Sequence, residues 1–542
     1  MRRREFLRAG AVAASGYALG LSRAWPADAK LVDRGDVTLV RGTSRLASLT
    51  VPAGRTLRFD PARNVTLELR GNLVVRGTLE MKPNKGVRHI LRFVGVDESR
   101  FVGGGMNVMA SDVGLWVMGT GKLDIRGDPR AGWNTTGRDA TWKPGDEILT
   151  TPFAPGDSTT FAPYSGGTVT SSGGLATVTG PDGRVFAQEA FNLTRSVRIE
   201  GTRRGRTHIF IRSSAPQSIR YASIRYVGPR KPTSDPQVPS ASVLGRYGLH
   251  FNMCGEGSRG SQVVGTVVRD CGSHAFVPHT SHGVTFTDCV AYSVNEDAYW
   301  WDPGAATNDT TWSHCLAAKL LPIPSFRGYR LAGFLLGGGS GNTLIDSVAV
   351  GNLGNTGATG FIWPESGSGL WTFQGCVAHN NKTDGIFVWQ NNVSPTVIQD
   401  FVAFRNRYGI EHGAYRNAFA YERCTTFQNG RGMQLYAVSV GTDSGPLRWT
   451  DSNFDDGIQV VKHTVAPQGP AVIVDSPCST VVVAEAGAQA GGAYDFIRTG
   501  LEPADWTVTS MDPSSVYRVQ RADGTAYRVY PDGTTTPIPA FA

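Results

Sequence analysis

The chain has 542 residues, of which 40% are hydrophobic and 67 are glycine, and this composition favours a turn-rich β protein over a helical one. The formal net charge of +8 is a mild bias toward anionic partners; because no basic run is interleaved with aromatic residues, it does not indicate nucleic-acid binding. No stretch is apolar over the length that a membrane span requires.

Residues 1–29 have the pattern of an export signal. Arg3 and Arg4 precede a moderately apolar run, and Ala27-Asp28-Ala29 forms a small-x-small cleavage site. The pattern is typical of a twin-arginine signal peptide, which is removed after export; an ordinary basic amphipathic helix is the alternative. We predict a secreted or periplasmic monomer whose mature chain begins near Lys30 and carries a formal net charge of about +5.

The middle of the chain repeats one phrase, a small residue followed by alternating side chains. The intervals between the small residues are 27, 23, 35, 27, 25, 24 and 23 positions, and the longest is ascribed to a loop inserted at 320–330. A period of this size indicates stacked supersecondary units, and neither the leucine-rich consensus nor the four-strand unit of a propeller is present. The small residues are Gly248, Ala275, Ala298, Gly333, Gly360, Gly385, Gly409 and Gly432.

These observations predict an all-β protein built on a right-handed parallel β-helix, in which each repeat forms one turn. We assign residues 151–455 to the helix, 30–150 to a preceding β-rich domain and 456–542 to a C-terminal β cap. Hairpin signals occur in 166–185 and, with Asp-Gly turns, in 516–539.

Two further residue types recur at fixed points of the repeat. Five of the seven cysteines do so, and we interpret them as small buried side chains that stack on their equivalents. Disulfides between turns are the alternative, and the lack of a C-x-x-C pair disfavours a metal cluster. Four asparagines are predicted to be turn residues with left-handed backbone. These residues are Cys271, Cys289, Cys315, Cys376 and Cys424, and Asn352, Asn380, Asn406 and Asn429.

Side chains alternate along a strand, so the register predicts which of them leave the core. Positions one and three after the small residue are almost uniformly apolar and are predicted to face inward, whereas positions two and four face outward. Adjacent turns lie about 4.8 Å apart, which places Asn252, His279 and Asp302 in one outward column. His250 and Trp300 flank that column. Imidazole, amide and acid groups beside exposed aromatics suit a carbohydrate site, and a solvated sheet face is the alternative.

Several segments resemble one known family. LGRYGLHFNM (244–253) and HAFVPHTSHGVTFTDCVAYSVNEDAYWWDPG (274–304) resemble the β-helix of the cell-migration-inducing hyaluronidase family and its fibrocystin-like relatives. Residues 48–81 resemble the eight-glycine domain that precedes that helix, and TWKPGDEI (141–148) resembles the joining segment. The resemblance spans about residues 31–310 and implies secretion, a β-helix and a hyaluronan-type polysaccharide as substrate class.

The chain departs from that family at positions that bear on chemistry. Asn252 stands where the family has a second histidine, although His250 is retained. Asp297 replaces a histidine and Asp302 replaces a glutamate. If the paired histidines bind metal or act in catalysis, this chain has altered chemistry or none.

Three functions are kept open. Glycoside hydrolysis needs two carboxyl groups, with Asp302 as the preferred acid/base. β-Elimination at a uronic acid needs a cation such as Arg246 to neutralise the substrate carboxylate, and His250 or His279 as the base. The third is a non-catalytic, polysaccharide-binding scaffold at the cell surface or in the cell wall.

The candidate residues divide into three sets. The catalytic set is Asp302, His279, His250 and Asp297, and the substrate-binding set is Arg246, Asn252, Trp300, Trp389 and Glu365. Weaker candidates are Asp384, Glu411 and His412, whereas His314 and His379 are predicted to be structural. No cofactor is required by the pattern, and a divalent cation such as calcium is compatible with it.

Overall fold

The protein is a parallel β-helix, seen here in a computed structural model. Strands of successive turns stack side by side in three parallel sheets, and along the chain a strand of sheet 1 is followed by one of sheet 2 and one of sheet 3. The structure describes residues 31–164, 174–236, 238–301, 306–323, 330–354, 357–363, 369–388, 396–413, 419–436, 447–461, 470–485 and 491–542.

The strands of the three sheets are short. Sheet 1 consists of Leu31–Arg34, Val37–Val40, Thr56–Phe59, Thr78–Met81, Lys122–Arg126, Ser218–Arg220, Gln262–Val264, Thr285–Thr287, Thr311–Ser313, Asn342–Ile345, Trp371–Gln374, Thr396–Gln399, Phe419–Glu422, Leu447–Thr450, Ala471–Val474, Ala493–Ile497, Val516–Gln520, Ala526–Val529 and Thr535–Ile538. Sheet 2 consists of Thr43–Leu46, Val65–Leu69, His89–Phe93, Val197–Glu200, Ala222–Val227, Val267–Cys271, Val290–Val294, Leu316–Leu320, Val348–Val350, Val377–His379, Val402–Phe404, Thr425–Phe427 and Asn453–Phe454. Sheet 3 consists of Leu49–Val51, Leu73–Val75, Leu115–Gly119, Ile209–Ser213, Leu249–Gly255 and Phe276–Ser281, followed by Leu331–Leu335, Ala358–Trp363, Asp384–Val388, Tyr408–His412, Arg431–Tyr436, Ile458–Val461, Val481–Ala484 and Trp506–Ser510.

Smaller elements lie outside the three sheets. A four-stranded antiparallel sheet is formed by Trp133–Asn134, Ile148–Thr150, Ala162–Pro163 and Ala190–Asn192, and two hairpins by Thr177–Thr179 with Val185–Ala187 and by Arg230–Pro232 with Ser240–Ser242. The described helices are the 3-10 turns Glu98–Arg100, Glu256–Ser258 and Pro503–Asp505. In the part of the chain that the structure describes, no helix is long and apolar enough to cross a membrane.

The predicted fold class is confirmed, and the sheets extend beyond the residues assigned to them. Lys122–Arg126 pairs in parallel with Ser218–Arg220, and Ala493–Ile497 pairs in parallel with Val516–Gln520. The sheets therefore continue across the predicted boundaries at 150/151 and 455/456. The early turns lack the small-residue phrase, so the repeat in the sequence does not indicate them.

The hairpins predicted from turn signals are present. Thr177–Thr179 pairs antiparallel with Val185–Ala187, so the hairpin begins in the predicted segment 166–185 and ends two residues beyond it. The last three strands of the chain are also antiparallel, and their turns place Gly524 and Gly533 at φ of 84° and 79°. Only glycine reaches such backbone angles without strain, which is why Asp-Gly turns are so informative. Most of the loop predicted at 320–330, namely 324–329, lies outside the described residues.

The core follows the predicted register. Phe276, Tyr299, Phe334 and Phe361, each one position after a small residue, are fully buried and stack with ring centroids 4.9, 4.4 and 5.1 Å apart. The small residues are needed because the turns approach closely beside this stack. A Cβ atom on Gly360 would lie 2.5 Å from the carbonyl oxygen of the next small residue, closer than real Cβ contacts allow.

The recurring cysteines are buried thiols, as interpreted. All seven cysteines are free, and the five repeated ones are at most 1% exposed. The Sγ atom of Cys289 lies 3.4 Å from the carbonyl oxygen of Val263, one turn earlier. Burial raises the pKa of the Cys424 thiol to about 12, so these groups are inert at neutral pH.

The prediction of left-handed backbone at the repeated asparagines is wrong for three of the four. Only Asn380 has a positive φ, and in the other turns the left-handed residue precedes the asparagine, as at Arg405 and Gln428. The asparagine side chains instead link one turn to the next. The backbone N–H of Asn406 donates to Oδ1 of Asn429 at 2.9 Å. These amides satisfy backbone groups that would otherwise be buried without partners.

Residues 127–164 and 174–196 leave the helix and pack across the outer face of sheet 2. Trp133 stacks on His314 with centroids 4.2 Å apart, and Phe153 and Phe186 contact Phe404 at 5.8 and 5.9 Å. We call this segment the flank. It covers an apolar face that a parallel sheet must bury.

A buried ion pair fastens the flank to the helix. Oε2 of Glu189 accepts from Nε2 of His379 at 3.0 Å and from the Thr151 hydroxyl at 2.6 Å. The other ring nitrogen of His379 lies 2.8 Å from Oδ1 of Asn380, whose amide nitrogen donates elsewhere. Both ring nitrogens of His379 therefore face oxygen atoms of neighbouring side chains. The histidine is therefore structural, as predicted.

Glu189→Gln is expected to lower the free energy of unfolding by about 3 kcal/mol at neutral pH, because it removes the buried carboxylate that contacts His379 and Thr151. Burial raises the pKa of Glu189, but the His379 charge and the two hydrogen bonds together lower it by more, so the net shift is downward. Because the pKa of Glu189 is lower in the folded protein, its carboxylate stabilises the fold at pH values above the pKa of the unfolded state. This stabilisation is lost as the pH falls through the folded-state pKa, so the stabilities of the parent and the variant should converge in acid. Urea unfolding at several pH values measures this difference.

Glu147→Gln is the matched control in the same flank. Glu147 pairs with Arg269 at 2.7 Å, but its side chain is 51% exposed. An exposed pair contributes about 0–1 kcal/mol, so this variant should change little. Equal losses in the two variants would contradict the role given to Glu189.

Candidate functional site

The outer face of sheet 3 carries two groups of polar side chains. Apart from Arg330, they come from the second and fourth residues after each small residue and from the residue immediately before it. His274, which precedes the small residue Ala275, stacks at 3.8 Å on Trp300, a second-position residue of the next turn. We define the histidine cluster as His250, His274, His279 and Trp300, and the carboxyl cluster as Arg330, Asp384, Glu411 and Tyr436.

The histidine cluster contains part of the column expected from the sequence. Asn252 and His279 are paired neighbours on adjacent turns, and the rings of His250 and His279 are parallel with centroids 6.0 Å apart. His250 and Asn252 are nevertheless only 1% and 6% exposed. The third member of the column, Asp302, lies outside the described residues, as do Trp389 and Glu365.

His250 is a neutral imidazole. Burial lowers its pKa well below the ordinary range, an effect that a hydrogen bond to Gly245 opposes and that nearby His279 and Arg246 reinforce. Its Nδ1 lies 3.0 Å from the carbonyl oxygen of Gly245, so the proton resides on Nδ1. Nε2 has a free lone pair, with no hydrogen-bond partner among the described residues, but it is not exposed to solvent. His250 is therefore poorly placed to act as a base on a polymer.

Asp297, a predicted catalytic carboxylate, is completely buried. It accepts the backbone N–H of Ala332 at 2.7 Å and lies 3.3 Å from Nδ1 of His274. His274 also contacts Glu296 at 3.1 Å, and Glu296 pairs with Arg230 at 3.0 Å. Asp297 thus ties two turns together, and sequence reasoning missed its partners because they lie outside the second and fourth positions.

Arg246 was predicted to bind substrate and is instead a buried anchor. Its guanidinium is 0% exposed, pairs with Asp112 at 2.8 Å and lies over the ring of Trp116 at 4.6 Å. The backbone N–H groups of Val102 and Gly103 also donate to Asp112, so the loop that begins there covers this part of sheet 3. A covered guanidinium cannot neutralise a substrate carboxylate.

Trp300 is likewise not the exposed platform that the sequence predicts. It is 8% exposed, with one ring face against His274 and its edge against Tyr247 at 5.4 Å. Trp300 is covered because the side chain of His274, the residue before the small residue Ala275, packs against it from the preceding turn. His412 also differs in placement: it is 1% exposed and its Nδ1 lies 2.8 Å from the Tyr421 hydroxyl among core rings.

The carboxyl cluster brings two acids to one cation. Nη1 of Arg330 donates to both Oδ2 of Asp384 and Oε2 of Glu411, the latter at 3.1 Å, and Nη2 donates to Oε1 of Glu411 at 3.0 Å. Two N–H···O bonds of about 3 Å to one nitrogen leave these carboxylate oxygens at most about 6 Å apart. Arg330 also covers the ring of Phe387 at 3.6 Å. Its side chain remains 30% exposed, so the pair is approached from the arginine side.

The surroundings of Asp384 favour the protonated form of its carboxyl group. Complete burial raises the pKa of Asp384 well above the ordinary value, the Glu411 charge raises it further, and Arg330 only partly opposes them. Oδ2 of Asp384 accepts from Arg330 and from Thr359 at 3.0 Å, whereas Oδ1 has no hydrogen-bond partner among the described residues.

Glu411 accepts more hydrogen bonds than Asp384 does. It accepts from both terminal nitrogens of Arg330 and from the Tyr436 hydroxyl at 2.7 Å. Burial raises the pKa of Tyr436 and the Glu411 charge raises it further, so the phenol stays protonated as a donor. A buried carboxyl group with a raised pKa beside a second carboxyl group held by an arginine is the arrangement that acid/base catalysis uses.

Sequence reasoning ranked Asp384 and Glu411 as weaker candidates and missed Arg330 and Tyr436. A polar residue directly before a small residue was the available signal for Asp384, and Tyr436 occupies the fourth, outward position. Arg330 had no signal, because it lies three residues before Gly333, outside the repeated phrase.

The described residues contain no cluster suited to a metal ion. No group of three or more His, Cys, Asp or Glu side chains able to hold a metal ion occurs in the described residues.

No family model and no curated protein matches the chain. Among solved structures, the chain resembles the periplasmic alginate epimerase AlgG, with 10% identity, 86% of this chain and 78% of that chain covered, and a TM-score of 0.31. A mutant of that enzyme matches with the same coverage and a TM-score of 0.21. Similarity at these scores carries no argument about function.

Proposed function

We propose that the protein is a secreted or periplasmic enzyme that cleaves an anionic, hyaluronan-like polysaccharide by glycoside hydrolysis at the carboxyl cluster. The observation that carries the proposal is the sharing of one guanidinium nitrogen by Asp384 and Glu411. Burial and the Glu411 charge also raise the pKa of Asp384. The anionic substrate class and the export route rest on the sequence resemblance and on residues 1–29.

The two acids have distinct roles. The side chains of Asp384 and Glu411 are 0% and 3% exposed, so the partly exposed Arg330 must move when the polymer binds. Asp384 then donates its proton to the glycosidic oxygen as the bond to the anomeric carbon breaks. Glu411 attacks that carbon, and water then releases the sugar while Asp384 takes back a proton. Retaining glycosidases place their carboxyl groups about 5–5.5 Å apart and inverting ones about 6.5–9.5 Å, so the close pair favours retention.

β-Elimination is the second candidate, because Arg330 and Tyr436 are the partly exposed members of the cluster. In that reaction a cation neutralises the uronate carboxylate and a side chain removes the adjacent proton. Arg330 is poorly suited to this role, since Glu411 already balances its charge. Hydrolysis is therefore preferred.

Product analysis separates the two reactions. Incubation of hyaluronan with the mature protein is expected to release new reducing ends without the ultraviolet absorbance of an unsaturated uronate, whereas a lyase generates that absorbance. Hyaluronan left intact, together with intact pectate and alginate, would leave only a binding role.

A further inference from the structure

A cleft of about 680 Å³ opens where the chain passes from sheet 2 to sheet 3. Its lining includes Glu98, Arg204, Arg206, Arg230 and Ile323, contributed by different turns. The sheet 2 strands that precede these residues extend from His89–Phe93 to Leu316–Leu320 and are six successive neighbours. At about 4.8 Å per turn, the cleft follows the helix axis over about 24 Å, a shape that suits an extended polymer better than a compact ligand.

The cleft already binds a carboxylate of its own chain. The backbone N–H groups of Arg206 and Arg230 donate to the two oxygens of Glu98 at 2.9 and 2.7 Å, and Nη1 of Arg206 pairs with it at 3.3 Å. Arg230 is itself held by Glu296 at 3.0 Å. Glu98 and Glu296 therefore balance Arg206 and Arg230.

The charged lining residues that remain are Asp97 and Arg204. Asp97 accepts from the backbone N–H and the hydroxyl of Ser99, and Arg204 is the cation that remains for a ligand. Its side chain is exposed and forms no ion pair with any residue that the structure describes. It belongs to the same wall as the two paired arginines. Guanidinium groups bind carboxylates through two parallel hydrogen bonds, so Arg204 can take one acidic group of a ligand.

The carboxyl cluster lies at the same corner of the helix as the cleft, between sheets 2 and 3. Ile323 lies at one end of the cleft, and Arg330 lies in the same connection, between Leu316–Leu320 and Leu331–Leu335. Asp384 opens a sheet 3 strand two turns further along the same corner. A polymer that follows this corner passes from Arg204 to the paired acids.

We propose that the cleft is a second binding site, which holds carboxylate groups of an acidic polysaccharide through Arg204 while the polymer extends toward Asp384 and Glu411. The proposal rests on the proposed function for the identity of the polymer. The binding itself does not depend on turnover, so the two can fail separately.

Calorimetric titration of the mature protein with hyaluronan fragments, and with dextran as a neutral polymer, tests the proposal. Arg204→Glu is expected to raise the Kd for hyaluronan by about tenfold, because it replaces an attractive contact with a repulsive one. Arg203→Glu is the matched control, since Arg203 is exposed, contacts Tyr226 and does not line the cleft. It changes the net charge equally and should raise the Kd by less than about threefold.

Equal effects of the two variants, no effect of Arg204→Glu, or dextran binding as tight as hyaluronan binding would each overturn the second site. Asp384→Asn separates this result from the proposed function, because it should abolish cleavage and leave the Kd unchanged. Hyaluronan bound through Arg204 but never cleaved supports the second site and refutes the hydrolase. Cleavage unaffected by Arg204→Glu at limiting substrate refutes the second site alone.

Discussion

Arg246→Met is expected to lower the free energy of unfolding by about 3–5 kcal/mol. The variant leaves the Asp112 carboxylate fully buried and without its cation, whereas only neutral donors from Val102, Gly103 and Ser111 remain. Nη2 of Arg246 also donates to the carbonyl oxygen of Gly105, so the loop loses a second attachment. Urea unfolding, followed by tryptophan fluorescence, measures the loss.

The same variant decides between the structural and the substrate-binding interpretation of this arginine. If Arg246 is an anchor, Arg246→Met should retain the parent KM at temperatures where it is folded. Arg246→Lys restores the charge but not the fork of donors, and it should recover part of the stability. An unchanged stability accompanied by a raised KM would return Arg246 to the binding site.

The fold could be predicted from the sequence because its strongest constraint is periodic. The close approach at Gly360, where a Cβ would meet a carbonyl oxygen, forces a small residue into every turn, and the core stack forces an apolar residue after it. These two rules are visible without coordinates. The left-handed backbone at Arg405 and Gln428 cannot be predicted in this way, because residues of many types adopt that conformation once the stacking of turns imposes it.

The site was harder to predict because alternation fails where each strand begins. His274 and Asp384 precede small residues, and strict alternation assigns them to the core side, although their contacts lie on the outer face. Burial could not be inferred either. Trp300 and Arg246 have outward positions, and they are covered by neighbours that no local pattern connects to them, namely His274 and the loop that carries Asp112.

Asp384→Asn and Glu411→Gln are expected to reduce kcat for polysaccharide cleavage by about 10²–10⁴-fold. Asparagine retains an oxygen that can accept from Arg330 and Thr359 but has no acidic proton to donate. Glutamine cannot act as nucleophile, and it also leaves Arg330 without its balancing charge. Asp400→Asn is the control, because Asp400 pairs with Arg423 at 2.7 Å on the exposed surface and should leave kcat unchanged. His279→Ala tests the histidine cluster in the same assay, and a loss confined to that variant would move the reaction there.

The pH dependence of stability makes the role of Asp384 testable without a substrate. Its pKa is raised in the folded protein, so its contribution is fully present below the unfolded-state value near 3.8 and is lost as pH rises through the folded-state pKa. Asp384→Asn removes that loss, because asparagine stays neutral at every pH. The variant should therefore match the parent in acid and exceed it in stability at alkaline pH, while remaining inactive throughout. Parallel stability curves for the two proteins would show that Asp384 is ionised in the folded state, and it could then not be the acid of the reaction.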